Sequence, residues 1–94
     1  YTKWFDCDKI NCELSVRTRR SGDYMVVSQS GGHKKLTRCM IDDKIPGELR
    51  GKIPLVADGN EILWIVGGRI NERYKITSET GRVLEITYQG GNVQ

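Results

Sequence analysis

Two short strand-like runs, residues 55–57 and 61–66, the second apolar after Glu61, flank Asp58-Gly59-Asn60, and that pattern commits the middle of the chain to an antiparallel hairpin. The longest apolar run, Ile62-Leu63-Trp64-Ile65-Val66, reads as one buried strand. It falls far short of the roughly 20 apolar residues that cross a bilayer. With 94 residues in all, there is room for one small domain and none for a second core or a cleft between domains. The chain begins at Tyr1 with no initiator Met and no leader pattern, so residues 1–94 are expected to be a piece of something longer.

The rest of the chain follows the hairpin's lead. Residues 4–10 suit a short strand with a turn. Residues 13–19 alternate, with Leu14, Val16 and Thr18 on one face and Ser15, Arg17 and Arg19 on the other, which predicts a half-buried strand with a basic outer face. Ser21-Gly22-Asp23 is a turn signal before a second strand at 24–27, and residues 28–33 read as a polar, Gly-rich loop. The period then changes. Leu36, Cys39, Met40 and Asp43 fall at helical spacing, so 34–43 reads as a short helix. Lys34, Lys35 and Arg38 then lie in its first turns, against the helix dipole, which hints at an anionic partner. Ile45-Pro46 ends that helix, and Pro46 opens another turn through Arg50. Gly67-Gly68 breaks the later strand, residues 69–76 are ambiguous, and 83–88 alternate again to close the domain. Residues 89–94 are polar and expected to fray. About six short strands with one or two short helices make an α+β domain, mainly β and sandwich-like.

Charge is unevenly spread. The formal net charge is only +3, yet residues 14–38 hold Arg17, Arg19, Arg20, Lys34, Lys35 and Arg38 against Asp23 alone. One contiguous stretch therefore carries the positive charge, as phosphate contacts require, or as a solvated basic surface would.

Catalytic machinery is hard to find. Three cysteines without a Cys-x-x-Cys pair favour a reducing, cytoplasmic setting over a secreted disulfide scaffold. Cys7, Cys12, His33 and Cys39 have the number and type of zinc ligands, but their spacing matches no common zinc pattern; ordinary thiols and no metal are expected. His33 follows two glycines and has no neighbouring acid, which suits a solvated loop residue or a phosphate contact. Ser30-Gly31-Gly32 lacks the spacing of a Walker loop or a dinucleotide fingerprint, leaving a local anion site or an ordinary hairpin. Asp42-Asp43 suits local ion pairs better than an acid/base couple, and no serine has a matching His and acid. Trp64 belongs to the core, and exposed aromatic interleaving is absent. No catalytic residue is assigned.

Certain motifs carry more than periodicity. Val16-Arg17-Thr18-Arg19-Arg20 followed by Gly22-Asp23, Lys34-Lys35-Leu36, Ile41-Asp42-Asp43-Lys44-Ile45-Pro46, Pro54-Leu55-Val56 and Trp64-Ile65-Val66-Gly67 occur in that order. Together they resemble the C-terminal domain of bacterial tRNA(Ile)-lysidine synthetase, TilS, across residues 4–86. The resemblance implies a β-sandwich-like α+β module, related to a domain of the phenylalanyl-tRNA synthetase β-subunit, that grips tRNA on the acceptor-stem side. It implies catalysis in an N-terminal domain carrying Ser-Gly-Gly-x-Asp-Ser, where ATP with magnesium adenylates the wobble cytidine of the CAU-anticodon isoleucine tRNA and lysine displaces AMP. Ser30-Gly31-Gly32-His33-Lys34 is not that signature, so no cofactor is expected in this domain. The implied partners are that tRNA, the enzyme's own N-terminal domain and, for the full-length protein, a second copy; no membrane is involved. The alternative is a structural module packed on the rest of the enzyme or on its dimer partner.

The basic residues that match the family are Arg17, Arg19, Arg20, Lys34, Lys35, Lys44, Arg50, Arg69 and Lys75. With Arg38 from the basic stretch, the expected tRNA contacts are Arg17, Arg19, Arg20, Lys34, Lys35, Arg38, Lys44 and Arg69. Some of these cations are expected to hold Asp23 or Asp42 instead. The chain departs from the commoner pattern at Tyr24 and Gly47, where many members have Arg, and at Cys39 and Met40, where an aromatic pair is usual.

Overall fold

The structure is a computed structural model that describes residues 1–11 and 13–89. Its centre is a five-stranded sheet in the order β2-β5-β6-β3-β4, formed by β2 (Leu14–Arg17), β3 (Tyr24–Val26), β4 (His33–Lys35), β5 (Leu55–Asp58) and β6 (Glu61–Ile65). A separate two-stranded ribbon pairs β1 (Thr2–Asp6) with β7 (Val83–Thr87). Helices α1 (Leu36–Asp42) and α2 (Gly47–Arg50) complete the set, with single 3₁₀ turns at Cys7–Lys9 and Glu72–Tyr74. The expected α+β, mainly β domain is the one that forms.

The hairpin is where the apolar runs predict it. β5 and β6 pair antiparallel around Gly59, whose φ of +68° suits the first central position of a two-residue turn. Both strands are buried along their whole length because both sheet faces are covered. On one face Leu55, Ala57, Ile62 and Ile65 pack with Met25 and with Leu36, Cys39 and Met40 of α1. On the other, Val56, Leu63 and Trp64 pack with Phe5 of the ribbon and with Tyr74. Val56 faces Trp64 while Ala57 faces Ile62, so Leu63 is an extra residue in β6. This bulge turns Leu63 and Trp64 toward the same face, which brings Trp64 into the core as expected.

Several expectations need correction. Residues 34 and 35 are not helical: His33–Lys35 pairs with Tyr24–Val26, and the helix starts at Leu36. The helical spacing of Leu36, Cys39 and Met40 is real, but a nonlocal ladder claims the two lysines before it. Only Arg38 of the three cations sits in the helix, so the argument from charge opposing the dipole largely falls away. The loop 28–32 accordingly closes a β-hairpin and does not lead into a helix. β2 is shorter than expected, and its faces are not apolar-in and basic-out. Val16, opposite Val56, lies on an edge strand beyond the covering ribbon and is 59% exposed. Arg17, meant for the outer face, has a side chain only 10% exposed. Pro46 caps α2 from outside. The ambiguous 69–76 segment bridges Ile70 to Trp64 and then forms the second 3₁₀ turn. Of the expected frayed tail, residues 90–94 lie outside the described residues, as does Cys12.

Candidate nucleic-acid interface

Asp23, the only acid in the basic stretch, organises the site. Its side chain is 1% exposed, and its carboxylate accepts two hydrogen bonds from the Arg17 guanidinium, at 2.9 and 2.8 Å. It also accepts from the Arg20 amide at 2.8 Å and from Asn60 Nδ2 at 3.1 Å. Arg17 donates further to the Gly59 carbonyl, so β2, the 18–23 loop and the β5–β6 hairpin are tied at one point. Burial pushes the Asp23 carboxyl up, but these donors, Arg17 first, more than offset it and hold it below its ordinary value. The Asp23 carbonyl accepts from the Leu36 amide at 2.9 Å, which brings the start of α1 alongside the same loop.

The loop thus fixed presents Arg19 and Arg20 to solvent, and the β4–α1 junction presents Lys35. These three line one cleft of about 500 Å³ with Tyr24, Leu36 and Thr37. None of the three has an acidic side-chain partner among the described residues, so their charge is available to an anion.

The other expected contacts divide. Arg17 is buried in the Asp23 pair, which orients the loop and leaves its guanidinium little room for RNA. Arg69 is held in a bidentate pair with Asp43. Lys34 pairs with Asp42 at 2.8 Å, and Arg38 lies 3.4 Å from the same carboxylate. Asp42 and Asp43 therefore form ion pairs, as expected of them, but with Lys34, Arg38 and Arg69 and not with the adjacent Lys44. Lys34's hydrogen bond holds the Asp42 carboxyl below its ordinary value. Asp42 stands just outside the 14–38 stretch, so counting that stretch overstates its free charge.

Lys44 is exposed and unpaired among the described residues, and its φ of +60° makes it the one non-glycine there in the left-handed region. It ends α1: its amide donates to the Ile41 carbonyl, and the Ile45 amide donates to that of Met40. Glycine usually fills this position in such a cap. Lys44→Gly is expected to raise unfolding stability by about 1 kcal/mol, read as a rise of about 5 °C in melting temperature. A lysine held at that cost is a stronger candidate for a contact made by its side chain.

Both glycine amides of the 28–32 loop are used within the loop. Its Gly31 amide donates to the Ser28 carbonyl and its Gly32 amide to Ser28 Oγ. Of the four zinc candidates, Cys39 is buried in the core and His33 is exposed, its ring meeting that of Tyr24 edge-on. A second cleft, which no spacing in the sequence foreshadows, joins Tyr24 and His33 to Glu61, Arg73 and Lys75. No helix of the described residues is long and apolar enough to cross a membrane.

Comparison with known proteins supplies the family context. Residues 14–86 match the family described as the TilS substrate C-terminal domain. A tRNA(Ile)-lysidine synthase of Caldanaerobacter subterraneus subsp. tengcongensis is 48% identical over 88 residues, covering 94% of this chain and 19% of the relative. One from Clostridium tetani is 44% identical over 90 residues, covering 96% and 19%. The chain thus spans about a fifth of the length of these curated relatives. A crystal structure of a TilS C-terminal domain superposes with a TM-score of 0.72 at 36% identity, covering 96% of this chain and 72% of that one.

Proposed function

This chain belongs to the TilS substrate C-terminal domain family, and on that premise we propose that residues 1–94 are the tRNA-gripping C-terminal domain of a tRNA(Ile)-lysidine synthase. In this reading the whole enzyme is a cytoplasmic ligase. It uses ATP with magnesium, held in its N-terminal domain, to join lysine to the wobble cytidine of the CAU-anticodon isoleucine tRNA. The present domain holds the acceptor-stem side of that tRNA and contributes no reacting group. The observation that carries the reading is the cleft of Arg19, Arg20 and Lys35, three cations without acidic partners on a loop fixed by the buried Arg17–Asp23 pair. Such a surface meets phosphates in register and reads duplex shape more than base edges. Lys44 adds a fourth cation, while Lys34, Arg38 and Arg69 are already shared with Asp42 and Asp43 and contribute less.

This chain, incubated with tRNA, ATP and lysine, is expected to form no lysidine; modified cytidine in the product, read by mass spectrometry of digested tRNA, would overturn the assignment of chemistry to another domain. A second reading, a scaffold packed on the rest of the enzyme or on its dimer partner, is favoured by the ribbon's outer face, where Trp4 is 50% and Val83 53% exposed. Deleting the domain from the full enzyme decides between them. A large loss of tRNA affinity supports the gripping role, whereas unchanged affinity with lower stability supports the scaffold.

A further inference from the structure

The second cleft, of about 880 Å³, shares Tyr24 with the basic cleft, so the two adjoin along one surface. Three kinds of recognition chemistry converge there. The rings of Tyr24 and His33 lie 5.3 Å apart at 76° to one another, and His33 is exposed, which leaves flat aromatic surface open to a ligand. The Glu61 side chain, on a residue only 9% exposed, lines the cleft and accepts one hydrogen bond from Asn71 Nδ2 at 3.2 Å. The Tyr24 hydroxyl also engages this carboxylate, whose roughly four lone-pair sites leave acceptor capacity for a further donor. Arg73 supplies positive charge at the same cleft and lies over the Tyr74 ring, while Lys75 is already hydrogen-bonded to Glu72, which also lines it. Burial, and then the Glu61 carboxylate, push the Tyr24 hydroxyl up from its ordinary value, so it keeps its proton and remains a donor.

We propose that this cleft takes one unpaired nucleotide of the bound RNA, with a base that bears an exocyclic amino group. The base stacks on the exposed His33 ring with the Tyr24 ring at its edge, its amino group donates to Glu61, and an adjoining phosphate meets Arg73. A carboxylate suits this edge because the amino group offers it a donor. Uracil offers an N–H only between two carbonyls, which would face the carboxylate unfavourably. The inference rests on the RNA-binding reading above and adds to it a single-stranded subsite beside the duplex-gripping cleft.

The test uses this chain, isotopically labelled for NMR, titrated with the single-stranded RNA tetranucleotides of cytidine and of uridine. The cytidine oligonucleotide is expected to bind about fivefold more tightly, shifting resonances of Tyr24 and His33. Glu61→Gln should erase that preference, and His33→Ala, which removes an exposed ring and leaves the core intact, should weaken binding about tenfold. Reversing Arg19, Arg20 and Lys35 should leave the cytidine preference in place while tRNA affinity falls. Equal affinity for the two oligonucleotides, or shifts confined to Arg19, Arg20 and Lys35, would overturn the subsite while tRNA binding stood. Failure of tRNA itself to bind would overturn the RNA reading and the subsite together.

Discussion

The triple substitution Arg19→Glu, Arg20→Glu, Lys35→Glu is expected to lower the affinity of this chain for tRNA by about a hundredfold at low salt, with the melting temperature changed by only a few degrees. The three side chains are solvent-facing and have no acidic partners among the described residues, so their reversal disturbs no core contact. A phosphate that no longer meets a cation keeps its condensed counterions, so their release stops favouring binding, and each new carboxylate repels the backbone as well. The comparison that gives this prediction its force is Lys34→Glu. That lysine carries the same charge in the same strand as Lys35 but is hydrogen-bonded to Asp42. Its reversal should cost only about threefold in affinity. An equal effect at Lys34 and Lys35 would show that net charge matters and the geometry of the cleft does not. Binding to immobilised or fluorescently labelled tRNA reads both.

Asp23→Asn is expected to cost about 3 kcal/mol of stability, a fall of about 15 °C in melting temperature, with tRNA affinity reduced as a consequence of the freed loop. The substitution leaves Arg17, whose side chain is 10% exposed, charged and without its carboxylate in the interior. Removing one partner of a buried pair costs far more than a surface pair is worth. The pH dependence follows from the same geometry. The Asp23 carboxyl is held below its ordinary value of 3.8, so the unfolded chain takes up this proton more readily than the folded one. Its contribution is therefore complete above about pH 4 and is lost as pH falls through the lowered folded-state value. Denaturant unfolding of the parent chain and of Asp23→Asn should differ by a constant amount at neutral pH and converge in acid. A gap that stayed constant into acid would contradict the role given to the carboxylate.

Much of the fold was legible because its signals are local. Asp58-Gly59-Asn60 before the apolar run defines the β5–β6 hairpin, the Ser21-Gly22-Asp23 turn signal announces β3, and alternation marks β7. The limits of β4 and α1 were not legible, since the ladder that claims Lys34 and Lys35 is made with Tyr24–Val26 across a loop. A helical period in Leu36, Cys39 and Met40 cannot reveal where a strand from elsewhere arrives. Alternation likewise put Arg17 outside, because it counts side chains by face and does not see that the turn at Gly22 folds Asp23 back onto it. The lone acid among six cations was the signal, and the expectation that some arginine holds Asp23 was the sounder use of it. The clustering of Arg19, Arg20 and Lys35 was half legible: the charge stretch named them, but their separation from the paired Lys34 and Arg38 depends on Asp42. The second cleft was invisible in the sequence. Tyr24, His33, Glu61 and Arg73 come from four separate segments with no spacing in common.

The central claim, that this domain grips tRNA through phosphates at the Arg19–Arg20–Lys35 cleft with help from Lys44, meets its most direct test in the salt dependence of tRNA binding. Four cations in contact with phosphate predict that the logarithm of the affinity falls with the logarithm of salt concentration with a slope of about −3 to −4, and that the triple reversal brings the slope to about −1, the share left to Lys44. A slope near zero for the parent chain, or one that the triple reversal leaves unchanged, would contradict it.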